Sequence, residues 1–210
     1  MSKSELFWDK ISNKYDNQVK KYEQTYYKTI DKTKKYLDKN DLVLDYGCGT
    51  GIITTEISNS VKTIHACDIS SKMINVAEGK KREKKIKNIE FFQTDIFDEQ
   101  FEKESYDVIL AFNILYFIKD IQAAIRRINE LLKLEGLFIS ATDCLGEKKA
   151  ISSFVQYTLG KTGIIPSLSM LKMHELETLI SSGNFQILET ENLYDTPPNY
   201  YIVSRKSVRI

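Results

Sequence analysis

Short apolar runs alternate with helical patterns through the middle of the 210-residue chain. The runs that read as strands are Leu42 to Tyr46, Thr63 to Cys67, Ile89 to Gln93, Val108 to Phe112 and Leu137 to Thr142. This alternation is typical of an α/β protein in which a mostly parallel sheet has helices on both faces. Val108 to Phe112, which reads VILAF, has no polar residue and so favours a central strand covered on both sides.

Two of the intervening segments have clear helix signals. The segment from Asp120 to Glu135 carries an apolar stripe at helical spacing, and Gly136 is predicted to end that helix. The stripe consists of Ile121, Ile125, Ile128 and Leu132. A second helix is predicted to begin after an N-cap at Ser70 or Ser71 and to end in a basic run, GKKREKKIK, that we interpret as a solvated surface.

Composition narrows the possible partners. Lys and Arg total 30 against 29 for Asp and Glu, so the net charge of +1 gives no overall attraction to nucleic acid or to an anionic membrane. The charged N-terminus does not resemble a secretory signal, and the longest nearly apolar run, Val108 to Ile118, is shorter than the about 20 residues that span a bilayer. We therefore expect neither a nucleic-acid nor a membrane partner, and a monomer or a homodimer.

Cysteine and histidine are too few and too dispersed for a zinc-type ligand set. Cys48, Cys67 and Cys144 form no Cys-x-x-Cys pair, and the two histidines are His65, inside a strand, and His174, at the start of a late helix. We expect no metal, packing and surface roles for the histidines, and a reducing, cytoplasmic location.

A glycine-rich loop follows the first strand in VLDYGCGTGI, residues 43–52. Gly47, Gly49 and Gly51 give the spacing G-x-G-x-G, whereas a dinucleotide fingerprint, G-x-G-x-x-G, would need glycine where Ile52 stands. Asp45, at the end of the strand, would repel a pyrophosphate but attract a ligand with an amino group or a sulfonium. S-adenosylmethionine (SAM) carries both groups.

Two further aspartates end the next two strands. Asp68 in HACDIS can accept both hydroxyls of a ribose, and Asp95 in QTDIF can accept an adenine amine while the backbone of Ile96 serves a ring nitrogen. Any one such aspartate is more often a cap or turn residue. Because the ends of parallel strands meet at one sheet edge, the three together favour one ligand site.

The segments VLDYGCGTG, HACDIS, TDIF, YDVILAFNILYFI and LLKLEGLFIS, in this order and spacing, resemble the class I SAM-dependent methyltransferases. The resemblance covers about Leu42 to Thr142. It implies a three-layer sandwich with a seven-stranded sheet whose last strand is antiparallel. The last two strands would be Phe185 to Thr190 and Tyr200 to Arg205, with the helix in KMHELETLISSGNFQIL leading into the first of them.

The resemblance also implies roles for residues at matching positions. The cofactor SAM, and its product S-adenosylhomocysteine, would be bound by Asp45, Tyr46, Gly47, Cys48, Gly49, Gly51, Asp68, Ile69, Met73, Asp95, Ile96, Phe112 and Asn113. Asn113 and Tyr116, which follow the fourth strand, would lie beside the transferred methyl group, and Tyr15 is the third candidate catalytic residue.

The resemblance divides one domain, residues 1–210, into four parts. Residues 1–40 would be a helical lid, 41–143 the SAM-binding core, 144–171 an insertion that caps the substrate, and 172–210 a final helix and strands. Tyr15 is predicted to act from the lid with Tyr26 and Tyr27 behind it, whereas Phe7 and Trp8 could equally serve to bury the segment.

The preferred function is methyl transfer from SAM to an oxygen, nitrogen or carbon of a small-molecule acceptor. The alternatives are a non-catalytic SAM-binding protein, a methyltransferase acting on RNA or protein, and, far behind, a dinucleotide-dependent oxidoreductase. The sequence TPPNY, residues 196–200, is similar to a motif of enzymes that methylate nucleic-acid bases, but it lies before the last strand rather than after the fourth, which disfavours that use.

Overall fold

The computed structural model describes residues 2–147 and 165–207. Within these ranges seven strands form one sheet in the order β3-β2-β1-β4-β5-β7-β6. The strands are β1 Leu42–Tyr46, β2 Thr63–Asp68, β3 Ile89–Gln93, β4 Tyr106–Phe112, β5 Leu132–Asp143, β6 Phe185–Asp195 and β7 Pro198–Lys206. The first five run parallel, and β7 is antiparallel to both β5 and β6, which confirms the predicted fold.

The strand order reverses beside β1, which pairs with β2 on one side and β4 on the other. In such sheets the loops leaving these strands turn to opposite faces and open a crevice at the carboxyl ends. The glycine-rich loop leaves β1 at this point. The sheet topology therefore places the loop at the position where ligands bind in α/β proteins.

Six helices flank the sheet within the described residues. They are α1 Lys3–Val19, α2 Glu23–Lys34, α3 Ile52–Ile57, α4 Ser71–Glu83, α5 Ile121–Leu131 and α6 Met173–Ser182, with a short 3₁₀ turn, Lys20–Tyr22, between the first two. None of these helices is long and apolar enough to cross a membrane.

Two apolar clusters form the core, one on each face of the sheet. On β1, Leu44 faces a cluster with α5 and α6, while its neighbour Val43 faces a cluster with α2 and α3. Both side chains are fully buried, since successive residues of a strand point to opposite faces. This arrangement gives the three layers that the alternating pattern predicts.

The helix predicted over Asp120 to Glu135 ends early. Asp120 is its N-cap, but α5 stops at Leu131, and Leu132 is extended and pairs with Tyr106 of β4. Glu135 has a positive φ of 62° that no helix accommodates. Leu132 continues the apolar helical spacing, but it is the first residue of β5 and is fully buried there. Its spacing therefore did not indicate a helix.

Helix α1 is fixed to α4 through a buried carboxylate. Asp9 accepts a hydrogen bond from the hydroxyl of Ser70 at 2.6 Å and another from the backbone N–H of Lys72 at 3.1 Å. Ser70 is itself the N-cap of α4, accepting from the N–H of Met73. Asp9 therefore supplements the cap of α4 from another helix, in the place where a negative charge complements a helix dipole.

A second carboxylate fixes α1 to the glycine-rich loop. Asp16 accepts from the hydroxyl of Thr50 at 2.6 Å and forms an ion pair of 2.6 Å with Lys80. Lys80 belongs to the basic run, as does Lys84, which pairs with Glu56. These ion pairs agree with the interpretation of the run as an ordinary surface feature. The two contacts of Asp16 hold α1 against the glycine-rich loop and α4.

Candidate active site

Two adjoining clefts lie at the carboxyl ends of the parallel strands. The first cleft, which has about 700 Å³ of empty space including its open mouth, is lined by Asp68, Ile69, Met73 and Asp95 on the β2 and β3 side. Its lining also includes Trp8 of α1. The four residues on the first side were all predicted to bind the adenosine part of a cofactor.

The second cleft lies on the α2 side of the glycine-rich loop. Its lining includes Asp45, Cys48 and Tyr26, with Thr50, Ile52 and Ile53 completing the loop side. The residues that line both clefts are Tyr15, Gly47, Gly49, Phe112 and Asn113. The structure thus brings together most of the predicted site residues around two connected spaces.

The glycine-rich loop is tied to the end of β2. The N–H of Gly47 donates to the carbonyl of Cys67 at 2.8 Å, and a Cβ at this position, where φ is 73°, would lie 2.7 Å from a carbon of Ile114. Gly49, with φ of 53°, is different, because a Cβ there would meet nothing within 4 Å. Gly47 is therefore required by packing, whereas Gly49 leaves backbone open to the clefts.

Asp68 is held by backbone groups at both of its oxygens. It accepts from the N–H of Gly49 at 3.0 Å and from the N–H of Ser70 at 2.8 Å. Burial raises the pKa of Asp68 to about 6, and these two hydrogen bonds act in the opposite direction. The carboxylate is fixed in orientation, and each oxygen keeps a lone pair for a further donor.

Asp45 is the most buried of the three carboxylates, with 3% of its surface exposed. One oxygen accepts from the hydroxyl of Thr54 at 2.5 Å. Burial raises the pKa of Asp45 to about 6, the bond from Thr54 lowers it, and nearby Asp68 raises it further. Of the described residues that line the two clefts, none is Lys, Arg or His, so a cationic ligand would meet only negative side-chain charge.

Asp95 and Tyr46 complete the polar lining of the first cleft. Asp95 accepts from the N–H of Phe97 at 3.1 Å, and Tyr46 is buried with a hydroxyl that has no hydrogen-bond partner among the described residues. Burial raises the pKa of Tyr46, so it remains a phenol. A buried hydroxyl without a partner costs about 1–3 kcal/mol, which a ligand acceptor would recover.

An aromatic wall closes the first cleft on the side of α1. The ring of Trp8 meets the ring of Phe117 edge to face, with centroids 4.9 Å apart, and Phe7 packs behind Trp8 at 5.1 Å. Trp8 and Phe117 both line the cleft. The sequence left open whether Trp8 serves packing or the site, and in the structure its side chain lines the first cleft.

Asn113 lies where β4 ends, with a positive φ of 56°. Its N–H donates to the carbonyl of Ala141 at 2.7 Å, and its side-chain Oδ1 accepts from Nδ2 of Asn199 at 2.9 Å. The same Nδ2 donates to Oδ1 of Asp143 at 2.7 Å. Asn199 and Asp143 were not predicted, although Asn199 belongs to TPPNY; the antiparallel pairing of β7 with β5 places it opposite Asp143.

The tyrosines of the N-terminal helices fall into two groups. Tyr15 and Tyr26 both line the second cleft, and burial raises the pKa of each. Tyr27 is 52% exposed and its hydroxyl donates to Glu23 at 2.9 Å. The expectation that Tyr27 stands behind Tyr15 is therefore wrong, because Tyr27 lies on the solvent face of α2.

Three predicted residues are not among the described residues that line either cleft. Tyr116 packs on Phe117 with ring centroids 4.3 Å apart, and burial raises its pKa. Ile96 is fully buried, and its carbonyl accepts from Arg127. Gly51 is the N-cap of α3.

Most of the predicted cap, residues 148–164, lies outside the described part of the chain. The two histidines lie outside both clefts: His65 is half-buried, with Nδ1 2.9 Å from the hydroxyl of Tyr106, and His174 is exposed.

The chain is similar to known proteins in both sequence and structure. Residues 37–187 match the methyltransferase domain family. Malonyl-(acyl-carrier protein) O-methyltransferase of Bacillus anthracis is 32% identical over 133 residues, which are 62% of this chain and 47% of that protein. Ubiquinone biosynthesis O-methyltransferase of Rickettsia bellii is 24% identical over 198 residues, 85% of this chain and 82% of that protein.

Among solved structures, the YcgJ protein of Bacillus subtilis superposes with a TM-score of 0.72 at 18% identity, over 87% of this chain and all of that one. At this identity the likeness concerns the fold. The match to the Bacillus anthracis relative spans about half of that protein's length.

Proposed function

The chain belongs to the methyltransferase domain family and has the fold of the class I SAM-dependent methyltransferases. We propose that it transfers a methyl group from SAM to a small organic acceptor. The observation that carries the proposal is the convergence of three strand-end carboxylates, Asp45, Asp68 and Asp95, on two connected clefts that share an open glycine loop. No cationic side chain lines these clefts among the described residues, which disfavours the pyrophosphate of a dinucleotide.

The donor set fits SAM. Asp68 retains lone pairs for ribose hydroxyls, Asp95 for an adenine amine, and Tyr46 has a buried hydroxyl without a partner. Asp45 and the backbone at Gly49 would serve the amino-acid end. When bound, SAM supplies a methyl group on a sulfonium, a leaving group that needs no activation by acid.

The side chains of this protein would act mainly by positioning and by excluding water. Trp8 and Phe117 line the first cleft, while Tyr15 and Asn113 line both clefts and would contact both cofactor and acceptor. Alignment of two reactants can supply about 7–11 kcal/mol, so a strong general base is not required. In this proposal residues 1–40 cover the site, 41–143 bind the cofactor, 144–171 select the acceptor, and 172–210 complete the sheet.

A small-molecule acceptor is supported by the aromatic lining and by the relatives. The Rickettsia bellii relative is named for ubiquinone biosynthesis, and it is matched along most of its length. The proposal includes a cytoplasmic location, which is supported by the three free thiols, Cys48, Cys67 and Cys144.

Transfer of a labelled methyl group tests the proposal. The purified protein is incubated with SAM labelled in its methyl carbon and with pools of phenols, carboxylic acids, amines and enolisable carbonyl compounds. Label in an organic product, with stoichiometric S-adenosylhomocysteine, is the expected result. Binding of SAM without transfer to any pool, to RNA or to protein would instead identify a non-catalytic SAM-binding protein.

A further inference from the structure

The loop that joins β3 to β4, residues 94–105, is organised around one guanidinium group. Arg127 of α5 donates from Nε to the carbonyl of Ile96 at 3.2 Å, and from Nη2 to the carbonyls of Asp98 at 3.2 Å and Phe101 at 2.9 Å. The side chain of Arg127 is 12% exposed. Three carbonyl oxygens of the β3–β4 loop therefore converge on one cation that lies 26 to 31 residues away in the chain.

This convergence depends on the shape of the arginine side chain. Carbonyl oxygens that face one point repel each other and lose their hydrogen bonds to water, unless a donor with several N–H groups lies between them. A guanidinium has five N–H donors in a rigid plane and keeps its charge in proteins, whereas a lysine ammonium donates from a single atom. The conformation of the segment from Ile96 to Phe101 is therefore set by Arg127.

One peptide group connects Arg127 to Asp95, which lines the first cleft. The carbonyl of Ile96 accepts from Arg127, and the N–H of the same peptide group, which belongs to Phe97, donates to Oδ1 of Asp95 at 3.1 Å. A peptide group is planar, so fixing its carbonyl also fixes the direction of its N–H. Arg127 thereby orients the donor that holds the carboxylate of Asp95.

A second backbone bond ties Asp95 to the same segment. The N–H of Asp98 donates to the carbonyl of Asp95 at 3.1 Å, and the carbonyl of Asp98 accepts from Arg127. The other carboxylate oxygen of Asp95, Oδ2, has no hydrogen bond to any residue in the described part of the chain. Asp95 is thus held by one oxygen and by its backbone, and its second oxygen is left for a donor on a ligand.

We propose that Arg127 is a positioning residue that acts through the Ile96–Phe97 peptide group to aim Asp95 at the base of the cofactor. The first cleft would thereby select adenine over a base that lacks the exocyclic amine. This inference rests on the proposed function, in which Asp95 accepts a hydrogen bond from that amine. Arg127 is not among the described residues that line either cleft, so its influence on the ligand passes through the loop.

Backbone amide signals in a ¹⁵N–¹H NMR spectrum of the full chain test the positioning without any ligand. Arg127→Met keeps an unbranched side chain but removes the donors, and Arg126→Met, at the exposed neighbouring position on α5, is the matched control. We expect the amide signal of Phe97 to shift in Arg127→Met and its exchange with solvent to quicken severalfold, with no change in Arg126→Met. An unchanged Phe97 amide in folded Arg127→Met would overturn the proposal.

Thermal unfolding shows whether Arg127→Met is folded. If it is not, Arg127→Lys takes its place, since it keeps the charge but cannot donate from two separate nitrogens. The same change at the Phe97 amide is expected in that variant, and its absence would equally overturn the proposal.

Base selectivity is measured by calorimetric titration with S-adenosylhomocysteine and with S-inosylhomocysteine, which carries a carbonyl oxygen in place of the adenine amine. The wild-type protein and Arg126→Met should prefer S-adenosylhomocysteine about 10-fold to 100-fold, and Arg127→Met about threefold or less. A general structural role of Arg127 would lower both affinities equally, so an unchanged ratio in Arg127→Met would contradict the proposal.

Asp95→Ala shows whether the effect of Arg127 passes through Asp95. This variant should lose the same selectivity, and the double variant with Arg127→Met should lose no more, because the two residues act in series. Additive losses would overturn the proposal. Equal affinity of the wild-type protein for both compounds would also overturn it while leaving the proposed function intact. If the wild-type protein binds neither compound, the proposed function fails and base selectivity with it, whereas the Phe97 amide still decides whether Arg127 holds the loop.

Discussion

The two clefts differ in what holds their polar groups. In the first cleft, Asp68 is fixed by backbone N–H groups of its own loop and of the neighbouring glycine loop. In the second cleft, Asn113 is fixed by Asn199 and so by Asp143, side chains from strands distant in sequence. Backbone donors survive most substitutions, whereas a side-chain network fails when one member changes. The position of Asp68 therefore depends on few other side chains, whereas the position of Asn113 can be altered by substituting Asn199 or Asp143.

The largest effect is expected at the backbone-held carboxylate. Asp68→Ala should lower the affinity for S-adenosylhomocysteine about 100-fold or more, because two hydrogen bonds to a charged group, each worth about 1.5–3 kcal/mol, are lost. Calorimetric titration measures the affinity, and thermal unfolding controls for the fold. Unchanged affinity in a folded variant would place the ligand elsewhere and remove the distinction between the clefts.

The next effect is on pH dependence. The pKa values of Asp45 and Asp68 are raised to about 6, so both carboxylates gain a proton as pH falls below 6. Affinity for S-adenosylhomocysteine, which keeps a cationic amino group, should fall about tenfold between pH 7 and pH 5, and Asp45→Asn should flatten much of this change.

Protein stability should change in the opposite sense to ligand affinity over this pH range. Between about pH 4 and pH 6 the folded chain holds more protons on Asp45 and Asp68 than the unfolded chain does, so their contribution to the free energy of unfolding decreases as pH rises. Thermal unfolding measured across this window checks the sign.

A wild-type affinity for S-adenosylhomocysteine that is flat from pH 5 to pH 7 would argue against a role for Asp45 opposite a cationic group.

A smaller effect is expected from loosening α1. Asp9→Ala removes the acceptor for Ser70 and Lys72 and should cost about 1 kcal/mol, as the loss of a helix cap does. Because Trp8 on the same helix lines the first cleft, S-adenosylhomocysteine should dissociate severalfold faster, as measured by stopped-flow fluorescence. Lys10→Ala, an exposed position beside it, is the control, and equal rates in the two variants would show that α1 does not retain the ligand.

The smallest effect on cofactor binding is expected at Tyr15, which lines both clefts. Tyr15→Phe keeps the ring but removes a polar group from the lining of both clefts, so turnover should fall severalfold while the affinity for S-adenosylhomocysteine changes less than twofold. Steady-state kinetics with the identified acceptor measures this. A larger loss in cofactor affinity than in turnover would assign Tyr15 to cofactor binding rather than to the acceptor.

The sequence predicted those features that are formed by residues close together in the chain. The glycine loop and Asp68 could be located because each lies where a strand passes through a turn into a helix within a few residues, and Asp95 because it follows a strand directly. Strands β1 and β3 have the predicted bounds. Asn199 and Asp143 could not be found this way, since only the antiparallel β5–β7 pairing brings them opposite each other. The same reason explains the early end of α5, where pairing with β4 overrides helical spacing.

Calorimetric titration of the wild-type protein with S-adenosylhomocysteine and, separately, with NADH tests the central claim most directly. We predict saturable, one-to-one binding of S-adenosylhomocysteine and none of NADH, because the clefts present carboxylates and an open glycine loop without a cationic side chain among the described lining residues. Binding of NADH alone would contradict the role given to Asp45 and, with it, the methyltransferase proposal.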